Sequence, residues 1–509
     1  MSDPRVDAWQ ALKRHPEVTL NALFELDPQR VEKLSGRIEA GEGGILLDWS
    51  KTHLTDELLE GFEALAQAAG FAQARARLFA GEVVNPTENR AAEHTALRGV
   101  GKEASVEEAM ALQARMKLLV EAIHDGALGE VNHLIHIGIG GSALGPALAV
   151  DALARDLAMV DVHVVSNIDG LALEEAFMAC DPATTLIAVA SKTFTTTETM
   201  TNAASALKWL TDNGVADPSG RVIALTANPA KAVEWGVDET RVLPFSETVG
   251  GRYSLWSSIG FPVALAIGWD DFAAMLDGAA RVDAHFRDTD GRANLCLRAS
   301  FADLYYARIR GAETRAVFAY DERLRLLPDY LQQLEMESNG KRVTADGKPV
   351  GAPTAPITWG GVGTDAQHAV FQLLHQGTHL VPVEFIASIA PGDELDPAHH
   401  RILLMNCFAQ GAALMAGKAS DDAARSYPGD RPSATILCDD LDPATVGALI
   451  AVHEHRTFAS AVLMGINPFD QFGVELGKEI AKALDAGDEL GFDPSTEALI
   501  ARAFGDDDQ

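Results

Sequence analysis

Gln333 and Glu337 stand four residues apart in the run Tyr330-Leu-Gln-Gln-Leu-Glu-Met-Glu-Ser-Asn-Gly-Lys341, just before an Asn-Gly turn. In a helix that ends there, this spacing puts both side chains on one face. A carboxylate held in that way can act as a general base while the neighbouring amide holds a substrate hydroxyl. A Glu standing alone at such a place would read as a solvated surface carboxylate, so the pair gains meaning only from the rest of the chain.

Two further segments could hold an anion. Gly138-Ile-Gly-Gly-Ser-Ala-Leu-Gly-Pro146 follows a strand pattern and opens a helix, so its backbone N–H groups and the helix dipole can cradle negative charge. It is not a dinucleotide fingerprint. Ala143 occupies the third glycine's place, and the next strand pattern ends Val165-Ser-Asn167, without the acid a ribose would need. Ser191-Lys-Thr-Phe-Thr-Thr-Thr197 also lies between a strand and a helix, and offers hydroxyls and N–H groups that satisfy phosphate oxygens. By itself it would read as a helix cap.

Other patterns fail on their chemistry. Ser338-Asn-Gly-Lys341 matches S-x-x-K, but no Ser-Asp-Asn or Lys-Thr-Gly follows it. His453-Glu-His455 lacks the spacing that aims two ligands at one metal, and Ser142 misses the hydrolase elbow G-x-S-x-G by one position. Cys180, Cys296, Cys407 and Cys438 are scattered, with no Cys-x-x-Cys pair and no nearby His in sequence, so no zinc site and no disulfide framework is expected.

The elements that would position these residues show in the periodicity. Residues 133–138, 162–165, 185–190 and 222–226 are short apolar, β-branched runs separated by helix-length amphipathic segments, after a helical stretch over 106–123. A second series, 315–320, 356–359, 380–385 and 434–437, repeats the alternation. This predicts parallel α/β sheets covered on both faces, in two doubly wound domains. Residues 1–105 read as helical and irregular with little strand pattern, and the acidic Asp506-Asp-Asp508 as a frayed tail. Two loops that follow neighbouring parallel strands converge at the carboxyl edge of their sheet, where open α/β folds bind ligands.

Composition bounds the class. A chain of 509 residues, 47% hydrophobic, is too long for one ordinary core and too apolar for disorder. A formal net charge of −32 argues against nucleic acid as a partner, since phosphate backbones demand clustered Lys and Arg. An anionic substrate must then be captured by local N–H groups and a few cations. Residues 1–10 lack a secretory pattern and no apolar run is long enough to cross a bilayer, so a cytoplasmic location without membrane partners is expected.

Five blocks taken together, Gly138–Pro146, Ser191–Thr199, Val249-Gly-Gly-Arg-Tyr-Ser-Leu-Trp-Ser257, Tyr330–Lys341 and Phe469-Asp-Gln-Phe-Gly-Val-Glu-Leu-Gly-Lys478, resemble the glucose-6-phosphate isomerase family, in order, over about residues 138–478. The resemblance implies two sugar-isomerase (SIS) sandwich domains, 106–285 and 286–485, with 1–105 packing on the second and 486–509 as a tail. It implies reversible aldose–ketose isomerisation of glucose 6-phosphate and fructose 6-phosphate in glycolysis and gluconeogenesis. Ring opening is followed by proton transfer between adjacent carbons through an enediolate, a route that requires no metal or redox cofactor.

By the same resemblance, Glu337 is the base that takes the C2 proton and returns it to C1, and Arg252 stabilises the enediolate. His368 and Lys478 take part in ring opening, and Gln333 and Gln471 contact substrate. Ser142, Ser191, Thr193 and Thr196 hold the phosphate, with Gly141 and Lys192 in the same binding loops. His368 closes Trp359-Gly-Gly-Val-Gly-Thr-Asp-Ala-Gln-His368, where Gly361, Val362, Asp365 and Ala366 depart from the family pattern Trp-Gly-Glu-Pro-Gly-Thr-Asn-Gly-Gln-His. A His titrates near neutrality and can shuttle a proton to the ring oxygen. The family's histidine comes from a partner subunit, which implies a homodimer. A phosphosugar-binding sensor without activity is the alternative on this fold; it would have no use for Glu337, His368, Arg252 and Lys478 together.

Overall fold

A computed structural model describes residues 4–155, 158–485 and 491–504. Its strands are β1 (Ser35–Glu39), β2 (Gly44–Asp48), β3 (His133–Gly138), β4 (Asp161–Val165), β5 (Thr185–Ala190), β6 (Val222–Thr226), β7 (Val242–Pro244), β8 (Thr314–Tyr320), β9 (Ile357–Val362), β10 (Val383–Ser388) and β11 (Ser433–Cys438). Among the described residues they form a five-stranded sheet, β4-β3-β5-β6-β7, and a six-stranded sheet, β1-β2-β11-β10-β8-β9. The first is parallel throughout.

The central strands of both sheets are buried on two faces because their apolar residues run nearly continuously rather than at alternate positions. In the first sheet Leu134, Leu186 and Ala188 feed one core, and Ile135, Ile137, Ile187 and Val189 feed the other. In the second, Val317, Ala319 and Ile386 point one way and Ala316, Phe318 and Phe385 the other. Such near-continuous apolar strands are what parallel sheets covered by helices require. The helices Leu144–Leu153, Gly170–Ala179 and Thr197–Asp212 fall between the strands of the first sheet.

The N-terminal hundred residues differ from the sequence reading. Besides helices such as Asp56–Ala68 they supply β1 and β2, a hairpin that joins β11 antiparallel, with Leu47 opposite Ile436. Glycines and charged residues in Ser35–Asp48 blur the alternation, and pairing with β11 makes the strand.

The helix Pro443–Met464 is buried almost all round, as expected of one enclosed by other elements. His453 and His455, inside it, are fully buried packing residues. Arg98 donates to Asp283, at 2.6 and 2.7 Å, and to Glu454, whose carboxylate also accepts from Trp256 Nε1 at 2.8 Å. Arg98, Asp283 and Glu454 have no exposed side-chain surface, so this network ties the N-terminal segment to two core helices.

The chain divides after Phe469 into two compact units, Met1–Phe469 and Asp470–Gln509. Both sheets lie in the first. The second carries the helices Glu475–Asp485 and Pro494–Phe504. The acidic residues 506–508 lie outside the described residues. No helix among the described residues is long and apolar enough to cross a membrane.

Candidate active site

The segment that carries Gln333 and Glu337 is not a plain α-helix. A short α-helix, Leu327–Leu331, widens into π-helical turns over Gln332–Glu337. Such widened turns recur at functional sites. Two carboxylates of identical type lie in this segment, and their surroundings separate them. Glu335 is buried, paired with Arg315 and accepting from Thr358 Oγ1 at 2.6 Å. Arg315 in turn donates to Glu384 at 3.1 Å. Glu335 therefore anchors the π-helical turns to the second sheet, and Glu337, with 18% of its side chain exposed, is the carboxylate a substrate can reach.

Arg252 is brought to that carboxylate from a distant part of the chain. Its Nη1 lies 3.4 Å from Glu337 Oε2, its Nε donates to Ser338 Oγ at 2.6 Å, and its Nη2 donates to the Pro468 carbonyl. Ser338 Oγ also meets the Tyr253 hydroxyl at 3.1 Å. A planar guanidinium fixed by several bonds is preorganised to face a developing oxyanion. Ser338 was visible in sequence beside Glu337, but its S-x-x-K match gave no hint of this contact.

The glycine-rich loop closes the site from the first sheet. Gly140 has φ +57°, a conformation open to glycine, and a methyl group there would meet Gln333 Nε2 at 3.1 Å. A methyl group on Gly141 would lie 2.1 Å from the Gly251 carbonyl carbon and 2.5 Å from the Arg252 nitrogen. The loop thus packs backbone to backbone against the segment that holds Arg252. The Gln333 Oε1 is a buried acceptor without a donor among the described residues.

The fully buried His136, a residue whose role sequence reasoning missed, sets the same loop from below. Its Nε2 bonds the Ser142 carbonyl at 2.7 Å. Burial pushes the ring down to about 4 from an ordinary 6.5, against the Ser142 bond, which favours the protonated form. Alternation along β3 could have marked it, as a polar residue at a core position.

In the second loop Ser191 Oγ meets Thr196 Oγ1 at 3.1 Å and accepts from the Phe194 N–H at 3.1 Å. Thr195 donates to Thr193 Oγ1 at 2.8 Å. Phe194 has φ +56°, left-handed for a bulky residue, a conformation that costs of order 1–3 kcal/mol and is characteristic of ligand-binding turns. Lys192 Nζ donates to the carbonyls of Glu247, at 2.8 Å, and Val249, at 3.2 Å, joining this loop to the chain just ahead of Arg252. Burial lowers its pKa, with Arg90 adding to the effect.

Three further predicted residues lie on or beside later elements of the chain. His368 is exposed on the helix Gly363–Gln376, which β9 enters directly, so the departures Gly361 and Val362 are strand residues and Asp365 and Ala366 helical ones. Gln471 precedes a short turn, and Lys478 lies on the helix Glu475–Asp485, both in the C-terminal unit. Cys180, though remote in sequence from any His, stands beside His133 and His163 in space.

The family model described as phosphoglucose isomerase matches residues 48–500. A curated protein of Erythrobacter litoralis named glucose-6-phosphate isomerase is 73% identical over 99% of both chains. One of the same name from Novosphingobium aromaticivorans is 73% identical over 97% of both. The crystal structure of a glucose-6-phosphate isomerase from Chlamydia trachomatis superposes with a TM-score of 0.88 at 29% identity, covering 98% of each chain.

Proposed function

The chain belongs to the phosphoglucose isomerase family and interconverts glucose 6-phosphate and fructose 6-phosphate, and we propose that Glu337 is the base that carries the proton between C2 and C1. The observation that carries this reading is the Glu337 carboxylate, partly exposed and 3.4 Å from Arg252, on turns anchored from beneath by Glu335.

The reaction places a carbonyl beside a carbon that must lose a proton. In the proposed sequence His368 and Lys478 open the sugar ring, and the C2 proton of the open aldose passes to Glu337. The electron pair left on carbon moves onto O1, giving an enediolate whose charge Arg252 stabilises. The O2 hydroxyl proton passes to O1, which moves the charge onto O2, and Glu337 then returns its proton to C1 as the O2 electron pair closes the C2 carbonyl, leaving the ketose. One carboxylate serves both half-steps, because the proton leaves and returns on adjacent carbons. The unpartnered Oε1 of Gln333 suits a sugar hydroxyl as donor, and Gln471 is proposed as a second substrate contact.

For the phosphate group, Ser142, Ser191, Thr193 and Thr196 with the N–H groups around Gly141 and Lys192 form the proposed cradle. Hydroxyls and amides suit this task in a chain whose net charge is −32, since they bind an anion without titrating. A homodimer that presents His368 to its partner's Glu337 completes the proposal, supported by the exposure of His368. Cytoplasmic residence is the corresponding expectation for an enzyme of sugar phosphates.

The test is direct. Chelator-treated protein given fructose 6-phosphate should form glucose 6-phosphate, read through a coupled dehydrogenase, while Glu337→Gln binds the sugar phosphate but loses a factor of about 10²–10⁴ in kcat. Near-native turnover by Glu337→Gln would remove Glu337 from the role of base.

A further inference from the structure

We infer that His133, His163 and Cys180 form a binding site for a zinc-like divalent cation, separate from the isomerase site. The strands bring them together by register. β3 and β4 run parallel, with His133 opposite Asp161 and Ile135 opposite His163. Side chains two apart on a strand share a face, so His133, Asp161 and His163 project to the same side. That side is the one on which Ile135, Ile137 and Val165 pack with Cys180, the residue that ends the helix Gly170–Ala179.

One ligand atom from each of His133, His163 and Cys180 lies within 4.8 Å of the other two. The two imidazole rings are 6.1 Å apart, tilted by 44°. Zinc–nitrogen and zinc–sulfur bonds of about 2.0–2.3 Å set ligand atoms roughly 3.3–3.8 Å apart around a tetrahedral ion, a contraction small side-chain rotations supply. Two imidazoles and a thiolate are a borderline-soft donor set, suited to zinc and poorly to calcium or magnesium.

A second observation is independent of the clustering. His133 Nδ1 is shielded from solvent and has no hydrogen-bond partner among the described residues, a state that buried polar atoms rarely keep. The Asp161 carboxylate stands 3.9 Å from that nitrogen, too far for a hydrogen bond, and is 65% exposed. It or a water supplies the fourth ligand, and its exposure on the edge strand β4 leaves a route for the ion to enter. Binding replaces the Cys180 S–H proton with the metal, so one proton passes to buffer for each ion bound, and both histidines bind as neutral rings.

The site lies at the opening end of the sheet. His133 is the first residue of β3 and Gly138, where the substrate loop starts, is the last, about 16 Å further along at 3.3 Å per residue. An ion here ties the edge strand β4 and the helix Gly170–Ala179 to β3 and leaves the reaction untouched.

Chelator-stripped protein titrated with Co²⁺ should show one thiolate-to-cobalt charge-transfer band saturating at one ion per chain. Zn²⁺ should displace it and raise the melting temperature without changing isomerase turnover. Cys180→Ser should abolish the band and the thermal shift, and His163→Ala should weaken Co²⁺ binding by at least about tenfold. Both variants keep the isomerase rate as the check that they fold. Absence of the band in the wild type, or an equal band and affinity in both variants, would overturn the site.

Discussion

Arg252 approaches Glu337 with Nη1 at 3.4 Å from Oε2, while its Nε is bonded to Ser338, the next residue after that carboxylate. One guanidinium therefore contacts both the Glu337 carboxylate and the side chain of the residue that follows it. Lysine keeps the charge but cannot span Ser338, Pro468 and Glu337 from a single planar fork. Arg252→Lys is expected to lower kcat by about 10²–10³, the range for loss of a preorganised oxyanion donor, with a much smaller change in KM. Steady-state kinetics with both sugar phosphates, beside circular dichroism to confirm folding, measure this; an unchanged kcat would separate Arg252 from the enediolate.

Gly141 can be tested by a single methyl group. An alanine there meets backbone of Gly251 and Arg252, which cannot move aside as a flexible side chain would. Gly141→Ala should lose about 1–3 kcal/mol of stability, as over-packing does, together with most of the activity. Gly170, at the start of a helix with open space around it, is the control, and Gly170→Ala should change neither. Denaturant midpoints and turnover for the pair decide the matter.

The fully buried His136 makes stability depend on pH. Its ring is held down to about 4 by burial, against 6.5 in the unfolded chain. Between those values the unfolded state binds more protons, so stability is full above 6.5 and declines as pH falls toward 4. The ring's share of that decline is roughly 3 kcal/mol at 1.36 kcal/mol per pKa unit. Urea melts at pH 7 and 4.5 should show a smaller decline for His136→Gln than for the wild type. Equal declines would place the pH dependence in other groups.

The proposed dimer with a shared site has its own signature. Glu337→Gln and His368→Ala are each expected to be nearly inactive as pure dimers. Coexpressed, they form hybrids in which one of two sites has both native residues, so activity should return to roughly a quarter of the wild type in a random mixture. Mixed dimers that stay inactive would put His368 and Glu337 to work within one chain.

Much of this was legible in the residues alone. Apolar runs at 133–138, 185–190 and 222–226 coincide with β3, β5 and β6 because strands buried on both faces need no partner to reveal their pattern. The glycine loop, the Ser/Thr loop and Glu337 could be picked out as candidates because their chemistry is local to a few consecutive residues. Tertiary structure alone decided that Glu335 anchors while Glu337 faces the site, two positions apart with the same functional group. It also decided that Ser35–Asp48 becomes a hairpin on β11, that the helix before Ser338 widens into π turns, and that His133, His163 and Cys180 meet. Periodicity records which face of one element is apolar, a property of neighbours along the chain. The distance between side chains on different elements depends on strand register and packing, which no local pattern contains.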